Sequence, residues 1–356
     1  MPVKGEYHDN FLTAQAAARG ILDRENQPSL FDRLDWLECL HRMALRSRKP
    51  VLLRAHESNG GGGSGGGNDD KDLWLPLLQS PGRHYQAMAN WYNFTWRPIF
   101  GGQYDEVTKL ALLRQIALLS AKQARRLTLS PVPNEDGSAT LLATAFEQTG
   151  WIVSMRQCDE NHYLHTGGRS FDEYWQSRPG QLRSTLKRKS KKGIVSIRIE
   201  TEFEDSSWKD YETVYARSWK PSEGTPDFLR QLAIQESAAG CLRLGLAYID
   251  GYPVAAQFWT CENGTALIHK LAHDERHLAA SPGTLLSAAL FQHVIDIDKV
   301  TEIDFGTGSD AYKHEWMEDM RPRYRLEMYW PNHVMNWPHI IRHKLRGPSQ
   351  EFKEAR

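Results

Sequence analysis

The spacing of apolar positions changes period repeatedly along the chain, and each change marks an element. Phe31, Leu34, Trp36, Leu37, Leu40 and Met43 recur three and four residues apart, predicting an amphipathic helix over 31–45, with a strand at 50–55 after it. A strand at 72–79, a helix at 107–119, a strand at 126–130, a helix at 141–150 closed by Gly150 and a strand at 151–155 follow. Phe171, Tyr174, Trp175, Leu182 and Leu186 suggest further helical turns. Residues 194–201 alternate as a strand, 208–219 and 226–239 read as helices, and strands at 242–249 and 253–260 are joined by Asp250-Gly251, a hairpin signal. Strand and helix alternate in both halves, which suggests two related α/β units.

The stretch 265–324 concentrates the reactive side chains. Thr265 to His273 is a strand bounded by Asn263-Gly264 and by Asp274-Glu275-Arg276, and its alternation places Leu267, His269, Leu271 and His273 on one face. Ala279-Ala280-Ser281-Pro282-Gly283-Thr284 then opens a helix carrying Leu285, Leu286, Ala289, Leu290, His293 and Val294. Small residues at a helix start leave backbone N–H groups open to an anion, so Ala280, Ser281, Gly283 and Thr284 are candidate binders of a diphosphate. Glu302 to Gly306 reads as a short buried strand running into a Gly306-Thr307-Gly308 turn, with Asp310-Ala311-Tyr312-Lys313 starting another helix. Histidine titrates near neutral pH, which makes His269 and His273 the best-placed bases, although a histidine on an apolar strand face commonly serves the core. Asp304 orients a histidine, binds an acceptor ammonium or ties down the glycine turn.

These motifs resemble a known family. A strand ending in Ala272-His273-Asp274-Glu275, the loop Ser281-Pro282-Gly283, a long helix, Ile303-Asp304-Phe305-Gly306-Thr307-Gly308 and then Tyr312-Lys313-His314-Glu315-Trp316 are similar to GNAT-superfamily acyltransferases of the CelD-like type, relatives of the Fem peptidyl transferases. The resemblance implies tandem GNAT-like units, each a mixed, largely antiparallel α/β sheet flanked by helices, and acyl-CoA as co-substrate. It also implies that Lys313 stabilises substrate negative charge and that Tyr312 protonates the leaving thiolate. The superfamily's pyrophosphate loop pairs an arginine or glutamine with two glycines at fixed offsets; here the nearest match, Arg276-His277-Leu278-Ala279-Ala280-Ser281, puts alanine and serine at those places. The expected units are a lead-in at 1–30, a first unit at 31–170, a basic connecting helix at 171–193, a catalytic unit at 194–330 and a tail at 331–356. Gly60 to Gly67, GGGGSGGG, builds no core and reads as an inserted flexible linker.

Composition narrows the partners. Lys+Arg and Asp+Glu number 44 each, so net charge nominates no nucleic acid. Four scattered cysteines, Cys39, Cys158, Cys241 and Cys261, suit a reducing cytoplasm and no zinc framework. His269, His273 and His277 fall at spacings of four, but on a strand these lie about 13 Å apart, too far to share one metal. No apolar run reaches the ~20 residues of a membrane span. Arg183, Lys187, Arg188, Lys189, Lys191 and Lys192 put six cations in the twelve residues from Gln181, suiting a solvated helix face, the 3′-phosphate of CoA or anionic lipid headgroups. The aromatic run from Trp91 to Phe100 reads as a buried hairpin or as a wall for an acyl chain. Trp330, Trp337 and the basic residues up to Arg346 suit a membrane interface or a capping helix. Together these features point to a cytoplasmic acyl-CoA-dependent N-acyltransferase, peripheral at the inner membrane face, acting on a lipid amine. Bacterial ceramide synthases, a GNAT-like group that N-acylates a sphingoid base, would fit. CelD-like O-acetylation of a polysaccharide precursor and a non-catalytic binding protein of an envelope pathway are the alternatives.

Overall fold

The computed structural model describes residues 3–57, 71–308, 310–338 and 340–341; the glycine-rich linker and the basic end of the tail lie outside them. The chain divides into two compact units, 1–159 with 322–356 and 160–321. The basic helix set apart as a connector therefore belongs to the second unit.

In the first unit, β1 (Lys4–His8), α1 (Phe11–Ala18), α2 (Leu34–Leu40), β2 (Lys49–Glu57), β3 (Lys71–Ser80), β4 (His84–Ala87), β5 (Ile99–Phe100), α3 (Glu106–Gln123), β6 (Arg126–Val132), α4 (Ser138–Gln148) and β7 (Ile152–His165) follow in order. β1 through β4 pair antiparallel in sequence; β4 and β6 run parallel, with α3 in the crossover between them. Within the expected lead-in, β1 hydrogen-bonds along the edge of β2 and α1 is capped by the Asn10 side chain. That pairing is backbone chemistry, which a short polar strand does not advertise. The aromatic run forms no hairpin: only Ile99–Phe100 is a strand, while Trp96 is buried and donates its Nε1–H to the Pro76 carbonyl. Trp330 packs on Trp151 with ring centroids 5.3 Å apart, whereas Trp337 stands exposed.

The second unit holds α5 (Phe171–Gln176), α6 (Gly180–Ser190), β8 (Ser196–Glu200), α7 (Asp205–Ala216), α8 (Pro226–Ala238), β9 (Leu242–Ile249), β10 (Tyr252–Glu262), β11 (Thr265–His273), α9 (Pro282–Gln292), β12 (Glu302–Thr307) and α10 (Lys313–Trp316). The boundary with the first unit falls inside β7 and inside β13 (Asp319–Tyr329), whose later residues pair antiparallel with β6. β8, β9, β10 and β11 form an antiparallel meander; β11 then runs parallel to β12 through the α9 crossover, and β12 is antiparallel to the end of β7. Each unit thus repeats one scheme, an antiparallel set followed by one parallel pair bridged by a helix. Adjacent residues of β10 show the two layers: Phe258 meets Trp208 of α7 on one face, and Trp259 meets Phe291 of α9 on the other. α9 lies so close to β9 that a Cβ on Gly245 would sit 2.7 Å from Leu290 Cδ1, so any side chain there would have to displace Leu290 and Leu286.

Candidate functional site

The parallel pair β11 and β12 makes the opening. Their register runs only through Thr265↔Glu302, Ala266↔Ile303 and Leu267↔Asp304. β11 continues to His273 and β12 to Thr307 without pairing each other. A cavity of about 280 Å³ lies there, walled by Leu271, His273, Phe305, Tyr312 and Trp316, with the first turn of α9 at its side.

Proline at the first position of α9 has no N–H to satisfy, and Ser281, at φ 56, turns the chain sharply into the helix. No Ser281 side-chain cap forms, and the N–H groups of Gly283 and Thr284 find no acceptor among the described residues. Both residues line the cavity, so two orphan donors at the positive end of the α9 dipole face it. A Cβ added to Gly283 would lie 3.3 Å from His273 Nδ1. The imidazole therefore sits against the helix start, with the Trp219 ring on it at 4.4 Å between centroids. Burial and the Lys220 charge hold His273 below the usual histidine value, against the opposing pull of Glu275 and Asp274, so the ring is neutral at pH 7.

His269 does not join it. A β-bulge between Phe258 and Trp259 of β10 sets Lys270 and Ile268 opposite successive β10 residues and leaves His269 as the extra one. The alternation expected from sequence is broken there. His269 lies on Phe258, on the α7 side, 2.8 Å from Thr260 Oγ1. Burial pushes its pKa down to about 3, which leaves an imidazole too weakly basic to take a proton from an ammonium.

Two further candidates serve the turn after β12. Asp304 is buried and accepts from Asn161 Nδ2 at 2.7 Å, from the Gly306 N–H at 2.7 Å and from Arg321 at 2.7 Å. With three donors on it, the carboxylate is the tie of the glycine turn. Lys313, 4% exposed, donates to the Thr307 and Gly308 carbonyls and lies over the Phe305 ring. Gly306 at φ 69 and Gly308 at φ 104 give the turn a backbone that only glycine adopts freely. Tyr312, one residue earlier, does reach the cavity; burial raises its pKa well above the ordinary tyrosine value, so the hydroxyl stays protonated.

Of the expected cofactor residues, Ser281, Gly283 and Thr284 line the cavity, whereas Arg276 and Ala280 do not. Arg276 is exposed and forks onto Asp274, whose pKa it pulls down to about 2. Sequence reasoning missed Trp219, Ser287 and Trp316 in the lining, and Gln257, whose amide donates to Ser287 Oγ at 2.7 Å while accepting from Trp259 Nε1. Nothing in their spacing sets such residues apart from ordinary core positions; the cavity they line does. His162 also escaped notice: it is fully buried on β7, packs edge-on against His314 at 4.6 Å and finds no hydrogen-bond partner among the described residues. Among the described residues, Glu236, Cys241 and Glu262 bring metal-ligating atoms within 4.8 Å of one another, and none of the three spaced histidines belongs to that group.

A second cavity, of about 350 Å³, lies between α7 and α8 behind Trp208, Tyr211 and Tyr215, with Lys220 and Glu223 at its edge. Glu223 pairs with Lys270 at 2.9 Å. Lys220 follows Trp219 directly, so one short segment borders both cavities; burial and the Lys270 charge bring the Lys220 pKa down to about 8.

Residues 176–314, which include the parted strand pair and the start of α9, match the family model for an acetyltransferase (GNAT) domain. That stretch of the second unit is thus similar to a GNAT-type acetyltransferase domain, and each unit of the chain is a mixed, largely antiparallel α/β sheet flanked by helices. Three solved structures share the fold at low identity. FemX superposes with a TM-score of 0.61 at 10% identity, covering 94% of this chain and 99% of its own. A C-terminal domain assigned to a lysylphosphatidylglycerol synthetase of Agrobacterium fabrum gives 0.55 at 14%, covering 96% and 100%. A conserved Bacteroides thetaiotaomicron protein of unknown function gives 0.54 at 10%, covering 92% and 100%. No curated protein matches the sequence at a significant level.

Proposed function

We propose that the second unit is an acyl-CoA-dependent N-acyltransferase whose acceptor is a long-chain or sphingoid amine, in the manner of a ceramide synthase. The observation that carries this reading is the opening between β11 and β12, with the Gly283 and Thr284 N–H groups and the His273 imidazole on one cavity. The two N–H groups take the donor diphosphate, and the parted strands leave room for the thioester arm. The neutral amine attacks the thioester carbonyl; a C–N bond forms as the C–S bond breaks. His273 takes the proton shed by the amine, and the protonated Tyr312 hydroxyl supplies one to the departing thiolate. Leu271, Phe305 and Trp316 give the acyl chain an apolar wall. The lipid acceptor is supported by the exposed Leu278 and Trp219 on the same lining.

Calorimetric titration with palmitoyl-CoA tests the donor site. Binding is expected in the unaltered protein and to weaken at least about tenfold in Gly283→Val, whose side chain fills the space between the helix start and His273. Equal affinity in the two proteins would move the donor elsewhere.

A further inference from the structure

α6 turns one apolar edge inward and leaves a cationic face. Leu182 is buried and Leu186 packs on the core of the second unit, so helical periodicity sends Lys187, Arg188 and Lys191 to the opposite side, flanked by Arg183 and Lys192. All five of these cations are exposed, and none has an acidic partner among the described residues. The sixth, Lys189, reaches across to the Ala279 carbonyl and fastens α6 beside the turn that leads into α9. The residue before that carbonyl, Leu278, is 56% exposed and lies on the rim of the donor cavity, as does Trp219 at 45%. Ile194, four residues beyond the helix, is also exposed. A row of free cations thus stands next to an apolar rim at a cavity mouth.

We propose that this face docks on an anionic lipid surface: the α6 cations meet the headgroups, Leu278 and Trp219 enter the interface, and the cavity opens toward an amine held in the bilayer. Charge complementarity selects the partner, and the rim explains why a membrane fits better than a free polyanion, which has no use for a protruding leucine and indole. The inference rests on the lipid-amine reading above and adds where that acceptor is collected.

Co-sedimentation with phosphatidylglycerol/phosphatidylcholine vesicles, against phosphatidylcholine alone, is the test. Binding is expected on the anionic vesicles only, with release at about 0.5 M salt, where screening shortens the reach of the cations. Lys187→Glu with Lys191→Glu should weaken partitioning by about tenfold or more, at unchanged melting temperature and with transfer to a water-soluble amine within about twofold. Leu278→Ser should weaken it without altering the salt dependence. Indifference of vesicle binding to the double charge reversal would overturn the inference, as would displacement from vesicles by stoichiometric transfer RNA bound through the same lysines. If vesicle binding fails while acyl transfer to a soluble amine persists, this surface is wrong and the enzyme reading stands. Docking without transfer to any amine would keep the surface and overturn the enzyme reading instead.

Discussion

His273→Ala is expected to lower kcat for amine acylation by about 10²–10⁴-fold, the usual worth of a positioned general base, while donor affinity and melting temperature change little. The ring touches both the start of α9 and Trp219, and it lines the cavity where the nucleophile must arrive. Its pKa lies below the ordinary histidine value through burial, so the base-competent neutral form predominates at and above pH 6.5. The acid limb of kcat/KM should therefore fall below pH 6.5 and disappear in the alanine variant. The acceptor ammonium adds its own limb above pH 7; a limb there that stays put when an amine of different basicity is used would show a different base, and Lys220 would be the first alternative to replace. His269→Ala supplies the contrast: its ring sits on Phe258, away from the cavity, and turnover per folded molecule should stay within about threefold.

Asp304→Ala should act on stability. It removes the acceptor of Asn161, the Gly306 N–H and Arg321 together, while the largely buried guanidinium keeps Glu302, the Asn161 carbonyl oxygen and the Tyr163 ring beneath it among its contacts. Losing one partner of a buried ion pair costs about 3–5 kcal/mol, and those remaining contacts reduce this to about 2–3. For a unit of this size the expected drop in melting temperature is roughly 5–10 °C. Asp304→Asn keeps an oxygen for the Gly306 N–H and should recover part of the loss. Differential scanning calorimetry beside single-turnover rates separates the roles. A catalytic aspartate would lose rate by orders of magnitude at unchanged melting temperature, contrary to the tie described here.

The α/β alternation, the meander after α8 and the helix opening at Ser281-Pro282 were legible because each rests on local signals: period, hairpin residues, proline and small residues in order. The site was legible in part. Ser281, Gly283, Thr284, His273 and Tyr312 stand out by local chemistry or family likeness, and the fold brings them to one cavity. His269 was misplaced because one bulged residue shifts every later side chain of β11, and nothing in Ile268-His269-Lys270 signals a bulge. Asp304 and Lys313 were ambiguous because a buried charge looks alike in sequence whether it holds a turn or a substrate. The partners that decide, Asn161 and Arg321 for one and the Thr307 and Gly308 carbonyls for the other, come largely from chain-distant strands or from backbone geometry.

Release of CoA thiol, followed on mixing the purified protein with palmitoyl-CoA or acetyl-CoA, each with and without a sphingoid base, tests the central claim most directly. The account predicts thiol release that needs both the long-chain donor and the amine, with one N-acylated product per thiol. Release from acetyl-CoA that ignores the amine, or no release and no CoA binding, would contradict it.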